Sequence, residues 1–389
     1  MIKISNMKRI FTLLFLLPSL FLSCKPVQTN VIDFANAINN NETPLLSSIA
    51  SDVKYIPLET KYESVIDSPT EIFLSDSEII VECHRMRFFR VFDLDGNYLG
   101  TIDRQGNGPE EYKTFFDSAF EHDNNAVSVL ERKVIKRYNT KGDYIGSIQL
   151  DESDPRYYRS LEYLGNGLYK LDASLNDSVQ LMIFNSEGKE VNTAFAGVAF
   201  TQRYGDISLT VPPSTTYGND RFLVLSVRND TIYQFDMNLE KSVAYLIDCG
   251  KYDYLYKSDD MMNMIQLGFT YIDAENFFIL GMSLPKNEFP HMKNDDFAGK
   301  NNILIYDKSS GKTYIPKHDR RYKIAGFEND IDNGPTFSPT YIVGNKVYSF
   351  IDAIDFIDYA RISESQQVKD VAAKLTEESN PVLMEVTLK

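Results

Sequence analysis

Phe92-Asp93-Leu94-Asp95-Gly96 ends an apolar run on an aromatic and follows it with an acidic residue and a glycine. The phrase returns as Tyr138-Asn139-Thr140-Lys141-Gly142, Phe184-Asn185-Ser186-Glu187-Gly188, Phe235-Asp236-Met237-Asn238-Leu239 and Tyr306-Asp307-Lys308-Ser309-Ser310-Gly311. Asp and Asn side chains bond their own backbone in tight turns, and Gly accepts positive φ, so each copy suits a hairpin tip. The aromatics stand 46, 46, 51 and 71 residues apart. A repeat of about 45 residues holding several short strands is the period of a propeller blade. The expected fold is therefore all-β, a six-bladed β-propeller.

The strands between the phrases support that count. Thr70–Ser75, Glu78–Cys83, Arg87–Asp93 and Asn97–Asp103 are β-branched and aromatic runs separated by turn residues, and form blade one. Blade two is expected over 117–150, blade three over 160–195, blade four over 207–248 and blade five over 264–315, stretched by an insertion at 283–301. Blade six begins near Thr340 and has too few strands of its own. Val53–Leu58 and Val382–Leu388 are both expected to complete it, which closes the ring with strands from the two ends of the chain. Glu364–Glu378 lacks Gly and Pro and spaces Val368, Val371, Ala372 and Leu375 helically, predicting a short C-terminal helix.

The first 23 residues read as a signal peptide. Lys3, Lys8 and Arg9 precede a largely apolar run from Ile10 to Leu22, which is too short to span a bilayer. The run ends at Phe21-Leu22-Ser23-Cys24, which resembles the lipobox of bacterial lipoproteins, with Cys24 as the lipidated residue and Phe21 where Leu is usual. Residues 24–50 are polar and weakly patterned and read as a tether, leaving 51–389 as the propeller. Cys83 and Cys249 fall in different blades, so burial is expected of them rather than a disulfide. Loss of the leader takes the formal charge from −15 to −18, because those 23 residues hold three basic and no acidic side chains. Such a chain is a poor partner for nucleic acid, whose phosphates need a basic face. No Cys/His spacing suggests a metal, and no phosphate-cradling loop or nucleophile elbow suggests a cofactor or a catalytic serine.

Three further phrases complete a pattern: Ile56-Pro57-Leu58-Glu59-Thr60, Gly106-Asn107-Gly108-Pro109-Glu110-Glu111-Tyr112 and Asn380-Pro381-Val382-Leu383. With Asn229–Tyr233, Asn329–Gly334 and the hairpin of blade one, the ordered set resembles the six-bladed β-propeller lipoproteins of Bacteroidota, relatives of the NHL-repeat propellers. The resemblance spans almost the whole mature chain and implies the fold and an envelope location. It implies no activity and no catalytic residues. Asn107 and Glu110 depart from the Gln and Gly common at those places.

Propellers usually bind at the mouth formed by loops between blades. Those loops supply Arg104, Arg156, Tyr158, Arg203, Tyr204, Tyr254, Arg321 and Tyr322, our candidate ligand-binding residues. Arginine forks grip carboxylates and tyrosine offers a flat face with a hydroxyl, which suits an acidic oligosaccharide or a peptide. The same side chains also pin long loops to one another. Three functions fit: a lipid-anchored, periplasm-facing binding or scaffold protein for glycan or peptide uptake; a lyase or hydrolase on an acidic glycan, the lyase using His84, Tyr112 or an Arg; and a module that docks an envelope protein.

Overall fold

A computed structural model describes residues 30–40, 42–204, 207–218, 220–285, 288–289, 302–318 and 324–389. Six antiparallel sheets stand as blades around a central channel, as expected. Blade one holds Glu71–Leu74, Glu78–Cys83, Phe88–Asp93 and Tyr98–Ile102 from channel to rim. Blade two holds Asp117–Glu121, Ala126–Glu131, Val134–Asn139 and Tyr144–Gln149, and blade three Tyr157–Gly165, Leu168–Leu175, Ser178–Asn185 and Glu190–Val198. Blade four holds Ser214–Gly218, Arg221–Leu225, Thr231–Phe235 and Lys241–Asp248, and blade five Gln266–Asp273, Phe277–Ser283, Asn302–Asp307 and Thr313–Tyr314.

Blade six runs Tyr341–Val343, Lys346–Ile351, Val382–Leu388 and then Ala50–Pro57, so the chain's two ends meet in one sheet. Val386 opposes Val53 and Leu383 opposes Ile56. Asn380 clasps the junction. Its Oδ1 accepts from Ile66 N at 2.9 Å, and its Nδ2 donates to the carbonyls of Glu59 at 2.8 Å and Ser64 at 2.9 Å. This gives the Ile56–Thr60 and Asn380–Leu383 phrases one shared purpose.

Both faces of every blade are covered. Alternate residues of a strand point to opposite faces. Ile79 and Val81 pack toward blade six while Ile80 packs toward blade two. Phe222 and Val224 likewise face blade three, and Leu223 and Leu225 face blade five. The buried apolar residues divide into a cluster for each of the interfaces between neighbouring blades. Cys83 and Cys249 are separate, buried thiols within two of these clusters.

The repeated phrase is the hairpin between the third and outer strands of blades one to five. Asp93 Oδ1 accepts from Asp95 N and Asn97 N, Asn139 Oδ1 from Lys141 N and Asp143 N, and Asn185 Oδ1 from Glu187 N and Lys189 N. Asp236 and Asp307 repeat the bond. Gly188 has φ +77°, and a Cβ there would lie 2.0 Å from the Gln149 carbonyl oxygen of blade two. Gly142, at φ +84°, has its nearest neighbour at 3.5 Å.

Three regions differ from expectation. Ile207–Val211, read as the start of blade four, pairs instead with Phe200–Tyr204 in a separate hairpin between blades three and four. The C-terminal helix is confined to Gln366–Ala372, with Ser365 Oγ accepting from Val368 N, and a second helix, Ala353–Ala360, precedes it. Residues 30–40, read as tether, fold onto the rim: Asn30–Asp33 adds a fifth strand to blade four, and the helix Phe34–Asn40 buries Phe34 and Ile38 beside blade five. Among the described residues no helix is long and apolar enough to cross a membrane.

Two substitutions separate turn strain from collision. Gly142→Ala should cost about 1–2 kcal/mol, the left-handed backbone penalty alone. Gly188→Ala should cost clearly more, because its Cβ meets backbone, and urea unfolding of the two variants measures the difference. Asn380→Ala should cost about 3 kcal/mol, since buried backbone partners lose their bonds.

Candidate functional site: an acidic channel mouth

Acidic side chains converge where the inner strands begin. Glu71 opens the inner strand of blade one, Asp117 that of blade two, and Glu162 lies on that of blade three. Glu82, on the second strand of blade one, stands directly across the ladder from Glu71. All four line one cavity of about 430 Å³, together with His84, Phe73, Phe120, Tyr163 and Tyr341. Blade five contributes Ile272 and blade six Thr340 and Ile342. The pocket is thus a carboxylate ring with aromatic walls.

Hydrogen bonds and ion pairs hold Glu82, Asp117 and Glu162 in place. Glu82, 4% exposed in its side chain, accepts from Thr70 Oγ1 at 2.9 Å and from Ser118 Oγ, and meets His84 Nδ1 at 2.8 Å. Asp117 Oδ2 accepts from Leu161 N of blade three at 2.8 Å, which ties two blades together. Glu162 Oε1 lies 3.2 Å from Lys170 Nζ, and Asp172 Oδ1 lies 3.0 Å from the same ammonium. Lys170 is fully buried, so this basic group near the mouth is already committed to two carboxylates.

Crowding changes how these groups hold protons. Burial, helped by the charge of Glu82, pushes the Glu71 carboxyl up to about 8. Burial and Glu82 push Asp117 up to about 7. Burial also raises Glu162, against the pull of Lys170. The bond to Glu82 raises His84 above the ordinary imidazole value, against its desolvation. Near neutrality the mouth is therefore partly protonated, and a cation placed there would favour loss of those protons.

The arginines and tyrosines singled out in the sequence are elsewhere or differently engaged. Arg156 is gripped by Asp154 at 2.7 Å and Glu190 at 2.8 Å and bonds Gln180 Oε1, an arrangement that fixes its loop to the rim of blade three. Tyr158 is buried, donates to Asp154 Oδ2 at 2.7 Å and carries Lys133 over its ring. Arg104 donates to the Gly142 carbonyl in the outer hairpin of blade two. Arg203 is exposed on the hairpin between blades three and four, where Tyr204 ends the first strand. Tyr254 is 65% exposed on the turn after blade four. Arg321 and Tyr322 lie outside the described residues. Tyr112 is buried, with its hydroxyl donating to the Arg87 carbonyl, and Tyr112 N donates to the Arg104 carbonyl, so Gly106–Tyr112 closes on itself as a loop cap.

Residue reading missed the carboxylates, although a signal existed. Glu71-Ile-Phe-Leu, Glu82-Cys-His84, Asp117-Ser-Ala-Phe and Leu161-Glu162-Tyr163 each set an acid next to apolar or small residues of a strand. Among the described residues, no group of His, Cys, Asp and Glu is arranged to hold a metal ion.

The chain belongs to a family whose model, described as a domain of unknown function (DUF4934), matches residues 29–387. No curated protein matches it. A protein of Bacteroides fragilis NCTC 9343 described as exported shares 14% identity over 87% of this chain and 95% of its own, with a TM-score of 0.60. A DUF4221-family member from Bacteroides vulgatus ATCC 8482 shares 10% identity over 90% of this chain and 98% of its own, with a TM-score of 0.51. These likenesses concern the fold.

Glu71→Gln isolates the cost of the crowded mouth. A carboxyl whose folded value is raised to about 8 destabilises the native state increasingly as pH climbs from its ordinary value toward 8. At pH 5 the group is neutral when folded and the variant should melt close to wild type. At pH 8 to 9 the variant should melt higher, and thermal denaturation at the two pH values reads the sign.

Proposed function

We propose that this member of the DUF4934 family is a lipid-anchored envelope protein that binds a cationic group, carried on a peptide or an amino sugar, in the channel mouth. The carrying observation is the ring of Glu71, Glu82, Asp117 and Glu162 around one aromatic-walled cavity. A ligand ammonium or guanidinium would meet several carboxylates already desolvated, where charge pairing is strongest. Phe73, Phe120, Tyr163 and Tyr341 add flat surfaces suited to the apolar stem of such a group or to a cation over a ring. An acidic glycan would set its own carboxylate against these oxygens, so the ring argues for the opposite ligand charge to the one the loop arginines suggested. The basic start, apolar run and Ser23-Cys24 support export and anchoring, and the exported Bacteroides fragilis neighbour agrees with that location.

Protonation makes the reading testable. A cation favours the ionised forms of Glu71 and Asp117 and the neutral form of His84, so all three favour binding at higher pH. Titration calorimetry with tetralysine, a chitosan oligomer, a neutral oligosaccharide and an oligogalacturonate distinguishes the ligand classes. Tetralysine should bind on the order of tenfold more tightly at pH 8 than at pH 6 in low salt, releasing protons, and the chitosan oligomer should bind at pH 6 in preference to the neutral and acidic oligosaccharides. Because chitosan amines themselves lose protons over that range, tetralysine carries the pH comparison. Glu71→Gln with Asp117→Asn should weaken binding and flatten its pH dependence. Preferential binding of oligogalacturonate, or cation binding untouched by the double substitution, would overturn the assignment.

A further inference from the structure

The chain between the expected anchor and the folded ring is very short. Cys24 is followed by only five residues, 25–29, before Asn30 enters the edge of blade four. Six peptide units at full extension reach on the order of 20 Å. Asn30 pairs with Tyr245, Val31 with Leu246 and Ile32 with Ile247, in parallel with the outer strand of that blade. The attachment is firm. Ile32, Phe34 and Ile38 are fully buried, Asp33 N donates to Thr313 Oγ1 at 2.9 Å, and Tyr252 donates to Asn39 Oδ1 at 3.1 Å. The segment that composition marks as a flexible spacer is therefore part of the rim.

The surface beside this entry point sets three exposed apolar side chains among charged ones, Asp230, Asp248, Asp253 and Lys257. Val31 is 43% exposed, Val243 40% and Leu246 36%. Val31 and Leu246 are ladder partners and so share a face, and both border a groove of about 570 Å³ running along the added strand. Tyr233, the ladder partner of Val243, packs toward blade three and carries Lys241 over its ring. Exposed valine and leucine beside Lys241 can rest at a bilayer interface with the lysine reaching the headgroups, while the groove's own charges, Asp248 and the Lys257 pairs with Asp230 and Asp253, stay at headgroup level.

We propose that the outer edge of blade four, around Val31, Val243 and Leu246, lies against the lipid bilayer, so that the propeller is held by its rim. This rests on acylation of Cys24. The occupant is a lipid surface because the five residues between Cys24 and Asn30 are too few to let the ring move far from its anchor. The added strand is the outermost of its blade, so the channel at the ring's centre remains open to ligands. A spacer folded away in this manner fixes the site's distance from the membrane.

The chain contains no tryptophan, which makes single reporters clean. Val243→Trp places one on the proposed contact. Leu99→Trp places another on the outer strand of blade one, three blades away, where Leu99 is 55% exposed. Full-length variants are produced in a lipoprotein-processing bacterium and reconstituted into phosphatidylethanolamine/phosphatidylglycerol vesicles containing brominated phosphatidylcholine. V243W should be quenched at least about twofold more than L99W. Inserting a 20-residue Gly/Ser segment before Asn30 should reduce that difference while the protein stays on the membrane. Equal quenching of the two reporters, or none at V243W in a membrane-bound protein, overturns the docking. Intact mass and membrane fractionation of wild type against Cys24→Ser test the premise separately: an unacylated, soluble wild type would remove the anchor and the proposal with it. Matching thermal melts of the two reporters exclude misfolding as the cause of either result.

Discussion

Each blade is a sheet with two apolar faces, and a sheet of that kind is stable only between two others. That requirement forces a closed ring. An open row of six blades would leave one face of the first and one of the last against water. Here those faces would expose Ile72, Ile79 and Val81 on one side and Tyr348 and Leu383 on the other, residues that instead pack together. Antiparallel pairing of Ala50–Pro57 with Val382–Leu388 supplies the closure. The clasp of Asn380 on Glu59, Ser64 and Ile66 fixes where the chain leaves the closing blade and enters the first. Contacts between positions more than 300 residues apart are entropically expensive to form early, so closure belongs late in folding.

Closure also creates the site. Inner strands from several blades begin around one axis, and a polar residue there meets residues from neighbouring blades rather than bulk water. Asp117 bonding Leu161 N across two blades shows how tightly the mouth is drawn. Burial disfavours ionisation of carboxylates drawn in this way, the charge of Glu82 adds to it, and the raised values of Glu71 and Asp117 record both. A rigid ring can sustain such a cluster because the interblade clusters, not the mouth, supply its stability. Local disfavour concentrated at one end of an otherwise consistent fold is the usual mark of a binding site.

What could be read in the sequence was local. An Asp or Asn followed by Gly declares its own turn, and Asp93, Asn139, Asn185, Asp236 and Asp307 all bond within a few residues of themselves. Arg156 carries no comparable sign. Its commitment to Asp154, Gln180 and Glu190 depends on a strand 34 residues onward folding beside it. Ile207–Val211 alternates like a blade strand, and only its pairing with Phe200–Tyr204 distinguishes it from one. Residues 30–40 look like a tether because Asn30 and Asn39-Asn40 bound them with polar runs, yet three apolar side chains, Ile32, Phe34 and Ile38, suffice to seat them. The acids of the mouth were hidden for the complementary reason. One Glu in an apolar strand reads as a solvent-facing position until the ring shows which positions share the channel.

The large negative charge of the whole chain and the small acidic mouth act at different ranges. At physiological ionic strength, fields from exposed charges fade within about 8 Å. Most of the surface carboxylates therefore cannot select a ligand seated in the channel. They bias encounter, hastening the approach of cations in dilute salt and slowing that of anions. The four carboxylates around the cavity are screened less, because Glu82 is buried and Glu71, Asp117 and Glu162 are partly covered. On the proposed reading, recognition rests on Glu71, Glu82, Asp117 and Glu162, and overall charge contributes mainly to the rate of arrival. Raising salt should slow cation capture more than it weakens the seated complex, a separation expected of a desolvated mouth and foreign to a merely acidic surface.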